Sequence, residues 1–325
     1  MKNYFKKIII YVYSCNKRRK RVINAHTFNE NHRKNHVKAL INMICGLFYC
    51  FKINVFRSKE KDNYPSKFGI VAIFKNEAPY LKEWIDYHLL IGVDKFYLYN
   101  NESQDNYLQI LKPYIDRNIV ELKDIKGKAR QLDAYSDCLN EHKNDCQFLA
   151  VIDCDEFIFN KDGNAISLIT KFLCEHKKAG ALVLNWSIFG SSWKKNKENG
   201  LVIERFNWRA ESSFVKNNHV KSIVNPRRVA VFKNPHSALY LVGYKALNLS
   251  GEKVEGPFNE NHANDAIRIN HYFTKSKEEY LAKAKRGMGD VPWLRDPTDF
   301  DIHDKNDVFD DSMKTFAQKL KANEE

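Results

Sequence analysis

Two carboxylates one residue apart, in the tripeptide Asp153-Cys154-Asp155, follow the apolar run Phe148 to Ile152 (FLAVI). An apolar run of this length, bounded by polar residues, reads as a buried strand. The two acids then stand in the turn at its carboxyl end, where both can face one hard cation. Mg²⁺ or Mn²⁺ takes one or two protein carboxylates and completes its shell with substrate phosphate and water. A cation held this way stabilises the negative charge that builds on a departing diphosphate without any proton transfer. The structural alternative is that the same acids cap a helix or lie in a solvated turn.

The flanking sequence supplies a scaffold that would position such a turn. Phe68 to Phe74 (FGIVAIF) has strand length and is apolar, and Leu81, Trp84, Ile85, His88 and Leu89 follow at helical spacing until Gly92. Lys95 to Tyr99 (KFYLY) is a second strand, Asn100 to Ser103 a polar loop, and Asp105 to Ile115 a second helix. Ile119 to Leu122 is a third strand, Ala129 to Leu139 a third helix, and FLAVI the fourth strand. Alternation of this kind argues for a mostly parallel sheet flanked by helices. Ligands of open α/β sheets bind beyond the carboxyl ends of the strands, which directs attention to Lys75-Asn76-Glu77, Asn100-Asn101 and Asp153 to Glu156. After residue 180 the alternation decays into loop-rich, aromatic sequence that reads as a substrate-shaping half.

Five separated motifs carry a resemblance. In order they are KNEAPYLKEWIDYHLLIGVDKFYLYNN with the basic helix KARQLDAYSDC, then FLAVIDCDEF, SIFGSSW, GLVIERF and HYFTKSKEEYLAKAKRG. From about Phe68 to Gly287 the chain resembles glycosyltransferase family 92, a group of GT-A enzymes. The resemblance implies a GT-A (Rossmann-like) fold with a loop-rich acceptor half and a hexosyltransferase, inverting at the anomeric carbon, that uses a UDP-sugar donor and Mn²⁺ or Mg²⁺. Galactose is the hexose that the family's known donors favour.

Site residues carry over by position. Asp153 and Asp155 match the metal and donor motif, and Asn76, Glu77, Asn100 and Asn101 match loops that hold the nucleobase and ribose. Arg130 and Gln131 match the donor-facing helix. His271 matches a C-terminal metal ligand, and Lys275 and Arg286 follow it as candidates to neutralise the leaving diphosphate. His271 could equally be a hydrogen-bonded histidine beside Tyr272. Ser276 to Glu279 has the spacing of a capping box, which accounts for those two residues without a ligand. Trp186, Phe189 and Trp193 divide between acceptor stacking and core packing. Where the family continues with Gly-His after Phe189-Gly190-Ser191-Ser192, this chain has Trp193-Lys194. The general base is open among Glu204, Glu211, Glu255, Glu260 and Asp265.

Charge divides the chain unevenly. Of 53 Lys and Arg and 40 Asp and Glu, residues 1 to 61 hold 15 basic residues against two acids, Glu30 and Glu60, so the whole excess of +13 lies in that leader. A basic leader on a balanced body points to a local anionic surface, a membrane before nucleic acid. Ala39 to Phe51 is 13 residues long, short for a span and suited to an interfacial helix, and Lys17 to Arg21 would add electrostatic attraction. A core helix with a solvated basic tail is the other reading. Seven cysteines without a CxxC pair indicate neither a disulfide framework nor a zinc ribbon.

These features yield an expected organisation of a leader over 1 to 61, a catalytic domain over 62 to 290 and a helical, acidic tail over 291 to 325. The expected place is the cytoplasmic face of a cell membrane. The expected partners are a nucleotide-sugar donor, a glycan or glycolipid acceptor in surface polysaccharide or lipopolysaccharide synthesis, and an anionic membrane, with no nucleic acid. A nucleotidyltransferase would also use paired carboxylates, but it needs an early glycine-rich phosphate loop that Gly69 alone does not make. A binding protein acting only through its leader would leave the paired acids, His271 and Lys275 without a common purpose.

Overall fold

In the computed structural model the described residues are 7–15, 17, 18, 21, 36–261 and 266–322. Two leader helices, α1 (7–15) and α2 (His36–Val55), precede β1 (Ser66–Phe74), α3 (Ala78–Leu90), β2 (Lys95–Asn100), α4 (Tyr107–Asp116), β3 (Val120–Asp124), α5 (Gln131–His142) and β4 (Cys146–Val151). These strands lie parallel in the order β4-β1-β2-β3. The alternation expected from the sequence is therefore the observed one, with boundaries shifted by one to three residues. β1 starts earlier than expected because Ser66 and Phe68 join the ladder to β4 and the Asp94 carboxylate accepts from the Lys67 amide at 2.8 Å.

Beyond β4 come β5 (Glu156–Phe159), α6 (Ala165–Glu175), β6 (Ala179–Ile188), the short α7 (Val202–Arg205), β7 (Trp208–Arg209), β8 (Val220–Val224), the hairpin β9 (Val229–Asn234) and β10 (Ser237–Tyr240), β11 (Lys245–Leu247) and β12 (Lys253–Val254). Then follow β13 (Arg268–His271), α8 (Lys277–Arg286), α9 (Asp299–His303), β14 (Val308–Phe309) and α10 (Lys314–Ala322). β8 runs antiparallel between β4 and β6, so the sheet is mostly parallel with one reversed strand near its centre. β13 pairs with β6 in parallel and with β5 antiparallel, which brings its last residue, His271, opposite Glu156.

Among the described residues β5 pairs with β13 alone, and α3 supplies partners along its other edge. Trp84 Nε1 donates to the Glu156 carbonyl at 2.8 Å and Tyr87 Oη donates to the Ile158 carbonyl at 2.9 Å. His88 Nε2 accepts from the Ile158 amide at 3.3 Å while Nδ1 meets the Trp84 carbonyl at 2.8 Å, which selects the neutral ring with its proton on Nδ1. Buried backbone groups left unpaired are costly, so three side chains from successive turns of α3 hold β5, and with it the turn carrying Asp153 and Asp155.

The segment expected as a C-terminal tail packs on the body. Met313, Phe316, Ala317 and Leu320 are buried in the main core, and Asp310 pairs with Arg209 and Arg268, each at 2.7 Å. The same segment meets the SIFGSSW motif: the Ser191 amide donates to Asp304 at 2.6 Å and the Ser192 amide to Asn306 at 2.7 Å.

The leader also docks, and its basic run is partly used in doing so. Arg18 is buried and donates to the carbonyls of Val229 and Ala230 at 3.1 and 2.8 Å, and Arg21 donates to that of Phe232 at 2.8 Å. At least two of the five charges from Lys17 to Arg21 thus face β9 rather than solvent, and their charge-assisted bonds to the strand carbonyls offset the cost of taking the guanidinium groups out of water. No described helix is long and apolar enough to cross a membrane. All seven cysteines are unpaired, and Cys15, Cys138, Cys146 and Cys154 are buried.

Burial holds the His88 ring neutral and pushes its pKa from 6.5 down to about 3. The unfolded chain takes up that proton near its ordinary value, so between about 6.5 and about 3 the unfolded state binds more protons and stability falls with pH. The stability gap between wild type and His88→Gln, measured by urea unfolding, is expected to narrow as pH falls through this window; a constant gap would refute the linkage. Gly190 is needed for close approach: a Cβ there would lie 2.4 Å from the Lys305 carbonyl oxygen and 2.5 Å from Asn306 Oδ1. Gly190→Ala is expected to lower stability by about 1–3 kcal/mol and to expose the C-terminal segment to protease, as overpacking does.

Candidate functional site

The carboxyl ends of β1, β2 and β4 open into one pocket of about 520 Å³, within the range of small-molecule sites. The loop after β1 contributes Glu77, the loop after β2 Asn101, and the turn after β4 Asp153 and Asp155. Gln131 enters from the start of α5, Trp186 from β6 and His271 from β13. Lys283 and Arg286 enter together from α8, three residues apart and therefore on one face of that helix. The segment 287–295 covers one side.

α8 is aimed by its first turn. Ser276 Oγ accepts from the Glu279 amide and the Glu279 carboxylate accepts from the Ser276 amide, the capping box expected from the sequence. Glu279 also pairs bidentately with Arg205 at 3.0 and 3.1 Å and accepts from Tyr80 Oη at 2.8 Å. Burial raises the Glu279 carboxyl, but Arg205, Ser276 and Tyr80 outweigh it and bring its pKa down to about 2.

Every acid at the floor of the pocket has a cation. Lys221, from β8, has no solvent exposure and places Nζ 2.7 Å from Asp153 Oδ2 and 3.3 Å from Glu156 Oε2. Gln131 donates to the other Asp153 oxygen at 2.7 Å. Lys283 pairs with Asp155 Oδ2, and Arg286 pairs with Glu77 while donating to the carbonyls of Lys75 and Asn76, both at 2.8 Å. Burial would raise the Asp155 carboxyl, yet Lys283 and His271 hold it well below the usual carboxylate range. Asp153 is likewise lowered, Lys221 overcoming burial. Burial pushes Glu156 up to about 8 against the pull of Lys221, and it pushes Lys283 down to about 8 against the pull of Asp155.

Asp153, Asp155 and His271 all line this pocket and are donors of the kinds a divalent cation takes. His271 Nε2 lies 3.5 Å from Asp155 Oδ1, and burial lowers the imidazole pKa to about 4, leaving it neutral and able to ligate. Its Nδ1 faces Glu156 Oε1 at 3.9 Å, and neither atom has a hydrogen-bond partner among the described residues. A carboxyl behind the second ring nitrogen of a ligating histidine is the usual orienting partner. Asp153 is held by Lys221 and Gln131, and Asp155 by Lys283, so each carboxylate already has a cation beside it. Both acids lie in the turn between β4 and β5 and neither caps a helix.

Several expected site residues stand elsewhere. Asn100 binds Asp124 and Tyr107 beneath the loop, at 2.8 and 2.9 Å. Asn76 adopts φ of 52° and accepts from the Gln104 amide at 2.7 Å, so it staples two loops together outside the main pocket. Arg130 pairs with Asp133 at 3.1 Å. Lys275 is buried with its ammonium 4.1 Å above the Tyr80 ring, which removes it from the leaving-group position. Glu204 is exposed and pairs with Lys321 at 2.7 Å, Glu211 is exposed, and neither lines the pocket; Asp265 lies outside the described residues. Of the aromatics weighed for acceptor stacking, Trp186 lines the pocket, Phe189 is in the core, and Trp193 packs on Trp208 away from it.

Sequence reasoning missed Lys221, Lys283 and the covering segment. A lysine within the short β-branched strand Val220 to Val224 (VKSIV) is a signal that could have found the first, since a buried lysine requires an acid. Lys221→Met is expected to cost about 3–5 kcal/mol in urea unfolding, because Asp153 and Glu156 lose their buried counter-charge. Adding Asp153→Asn should recover part of that loss; strict additivity in the cycle would refute the coupling.

A family model described as Glycosyltransferase family 92 matches residues 70–280. A family 92 protein of Ricinus communis is 28% identical over 94 residues, 29% of this chain and 17% of that protein. One of Arabidopsis thaliana is 25% identical over 104 residues, 32% of this chain and 18% of the other. These matches thus span less than a fifth of the length of either relative. Among solved structures, S. aureus TarS 1-349 aligns over 49% of this chain and 47% of its own at 16% identity and a TM-score of 0.33, and its complex with UDP over the same shares at 14% and 0.33. With well over half its residues inside the family match, the chain belongs to glycosyltransferase family 92.

Proposed function

We propose that this protein transfers a hexose from a UDP-sugar to a hydroxyl of a glycan or glycolipid acceptor. The observation that carries the reading is the meeting of Asp155, His271 and Lys283 at the floor of the pocket formed by the carboxyl ends of the parallel strands. A carboxylate, a neutral imidazole and an ammonium within one polar cleft suit a diphosphate that must be gripped and then released as a leaving group. Asp155 and His271 would hold Mn²⁺ or Mg²⁺, which supplies Lewis-acid stabilisation of the leaving diphosphate.

The chain's own residues do the remaining work. Lys283 and Arg286 place two cations on the diphosphate side of the pocket, and Arg286 keeps the loop after β1 in place through its bonds to Lys75 and Asn76. Asn101, fixed by donating to the carbonyls of Ile125 and Gly127 at 2.8 and 2.9 Å, shapes the wall between the loops that would take the nucleoside. Lys221 and Gln131 orient Asp153 toward the donor's ribose edge. Trp186 lines the pocket with its indole stacked on His219 and its centroid 4.3 Å from that of His271, so it braces the histidine that would ligate the cation. In transfer with inversion, the acceptor oxygen bonds to the anomeric carbon as the bond to UDP breaks, and a carboxylate takes the hydroxyl proton. Asp290, an exposed carboxylate that lines the pocket, is our candidate for that base. As acceptor we propose a glycan or glycolipid of surface polysaccharide or lipopolysaccharide assembly, met at the cytoplasmic face of the cell membrane.

Calorimetric titration of UDP into the full chain, with and without Mn²⁺, tests the reading. Binding is expected to strengthen with Mn²⁺, and Asp155→Ala and His271→Ala should each abolish that gain; Asp155→Ala also leaves Lys283 without its buried counter-charge and is expected to lower thermal stability, so each titration is run well below the unfolding temperature of its variant. UDP binding that ignores Mn²⁺ in wild type, or a metal gain retained in both variants, would overturn the assignment of the two ligands.

A further inference from the structure

The two leader helices are built with two faces. Inward, Tyr11, Cys15 and Arg18 of the first and Tyr49, Cys50 and Ile53 of the second recur at helical spacing and pack on Ala230, Leu239 and Leu241 of the β9–β10 hairpin region. Outward, the complementary positions are apolar and open to solvent: Ile9 is 65% exposed, Phe48 72%, Phe51 62% and Phe56 74%. Soluble monomers seldom present a contiguous stripe of this kind unless something covers it.

The charge around the stripe says what. Lys17 and Lys52 are exposed on the same two-helix leader, Lys17 with its ammonium 5.0 Å from the Tyr13 ring centroid, and residues 1 to 59 contain a single acid, Glu30. A second copy of the leader would bring lysine against lysine with no leader acid facing them. A phospholipid surface offers apolar depth for the aromatics and phosphate at the height of the lysines. We infer that the outer face of α1 and α2 docks in the headgroup layer of an anionic leaflet, with Phe48, Phe51 and Ile9 inserted and the helices lying in the plane of the surface.

The hairpin that receives the leader also reaches the active pocket. Arg18 and Arg21 hold β9 at Val229, Ala230 and Phe232, and the turn that closes the hairpin, Pro235 and His236, lines the pocket. The hairpin therefore spans from the leader to the pocket over about one strand length, roughly 20 Å, and the leader helices add about 10 Å between it and the lipid. An acceptor whose sugar is carried on a lipid in the same leaflet would be delivered at that height. This last step rests on the transfer reading; the docking face does not.

Flotation of the full chain with vesicles tests the face directly, using phosphatidylcholine alone and phosphatidylcholine mixed with phosphatidylglycerol. Wild type is expected to float with the mixed vesicles, more weakly as salt is raised. Phe48→Ser combined with Phe51→Ser should bind at least about tenfold more weakly, a loss of the order expected for removing inserted aromatic surface, with thermal unfolding unchanged because both side chains are exposed. Lys17→Gln combined with Lys52→Gln should flatten the salt dependence. Equal flotation of the serine variant and wild type would overturn the inference. So would a wild-type dimer in sedimentation velocity that the serine substitutions dissociate while wild type fails to float, which would make the face a self-interface. UDP titration of the same variants is read separately, so loss of lipid binding and failure of the donor site are distinguishable.

Discussion

An ammonium with no contact with solvent is tolerable only beside acids, and the Lys221 ammonium sits between Asp153 and Glu156 at the centre of this fold. β8 runs antiparallel to β4 with Ser222 opposite Val151, so Lys221 comes level with the end of β4 and meets the two carboxylates as the chain leaves that strand. With Lys221 holding Asp153 and the amide of Asp153 bonded to Glu156 at 2.9 Å, the turn has little freedom left, and Asp155 is the carboxylate directed at His271 and Lys283. Removing charge at the floor would disturb stability and site together, because the same atoms serve both.

The walls of the pocket are held by contacts that come from far along the chain. Arg286 reaches the loop after β1 across some 210 residues of sequence, and Arg205 and Tyr80 meet on Glu279 to fix the helix that carries it. α3 holds β5 from the other side through Trp84, Tyr87 and His88. Polar side chains are thus spent on buried backbone and on one another before any faces the cleft. That economy leaves a small set aimed inward, and their paired charges suit a polar, anionic ligand more than an apolar one. The leader extends the same logic outward: its arginines satisfy strand carbonyls, and its phenylalanines are left for the surroundings.

Much of the scaffold was legible in order and type. Strand-length apolar runs separated by amphipathic segments follow from side-chain periodicity, a local property, and so does the capping box at Ser276. The turn bearing Asp153 and Asp155 could be placed at a strand end for the same reason. The resemblance added His271, which local reading alone left undecided between a ligand and a core histidine. What failed was the assignment of side chains that look free in sequence. Asn76, Asn100, Arg130 and Lys275 have the right chemistry and the right loops, yet each is occupied by a neighbour distant in sequence or by a structural turn.

By itself, the sequence determined the alternating layers, the site at the strand ends, the paired acids and the concentration of positive charge in the leader, since these depend on residue type and short-range spacing. Only the tertiary structure decided which acid faces His271, which lysines neutralise the floor, and that residues 287–295 wall the pocket. It also decided that Arg18 and Arg21 turn inward while Phe48 and Phe51 turn outward. The physical reason is the same in each case. A buried charge is committed to whichever opposite charge or carbonyl the packing brings within about 3 Å, and that partner is chosen by strand order and helix docking, which no local window contains.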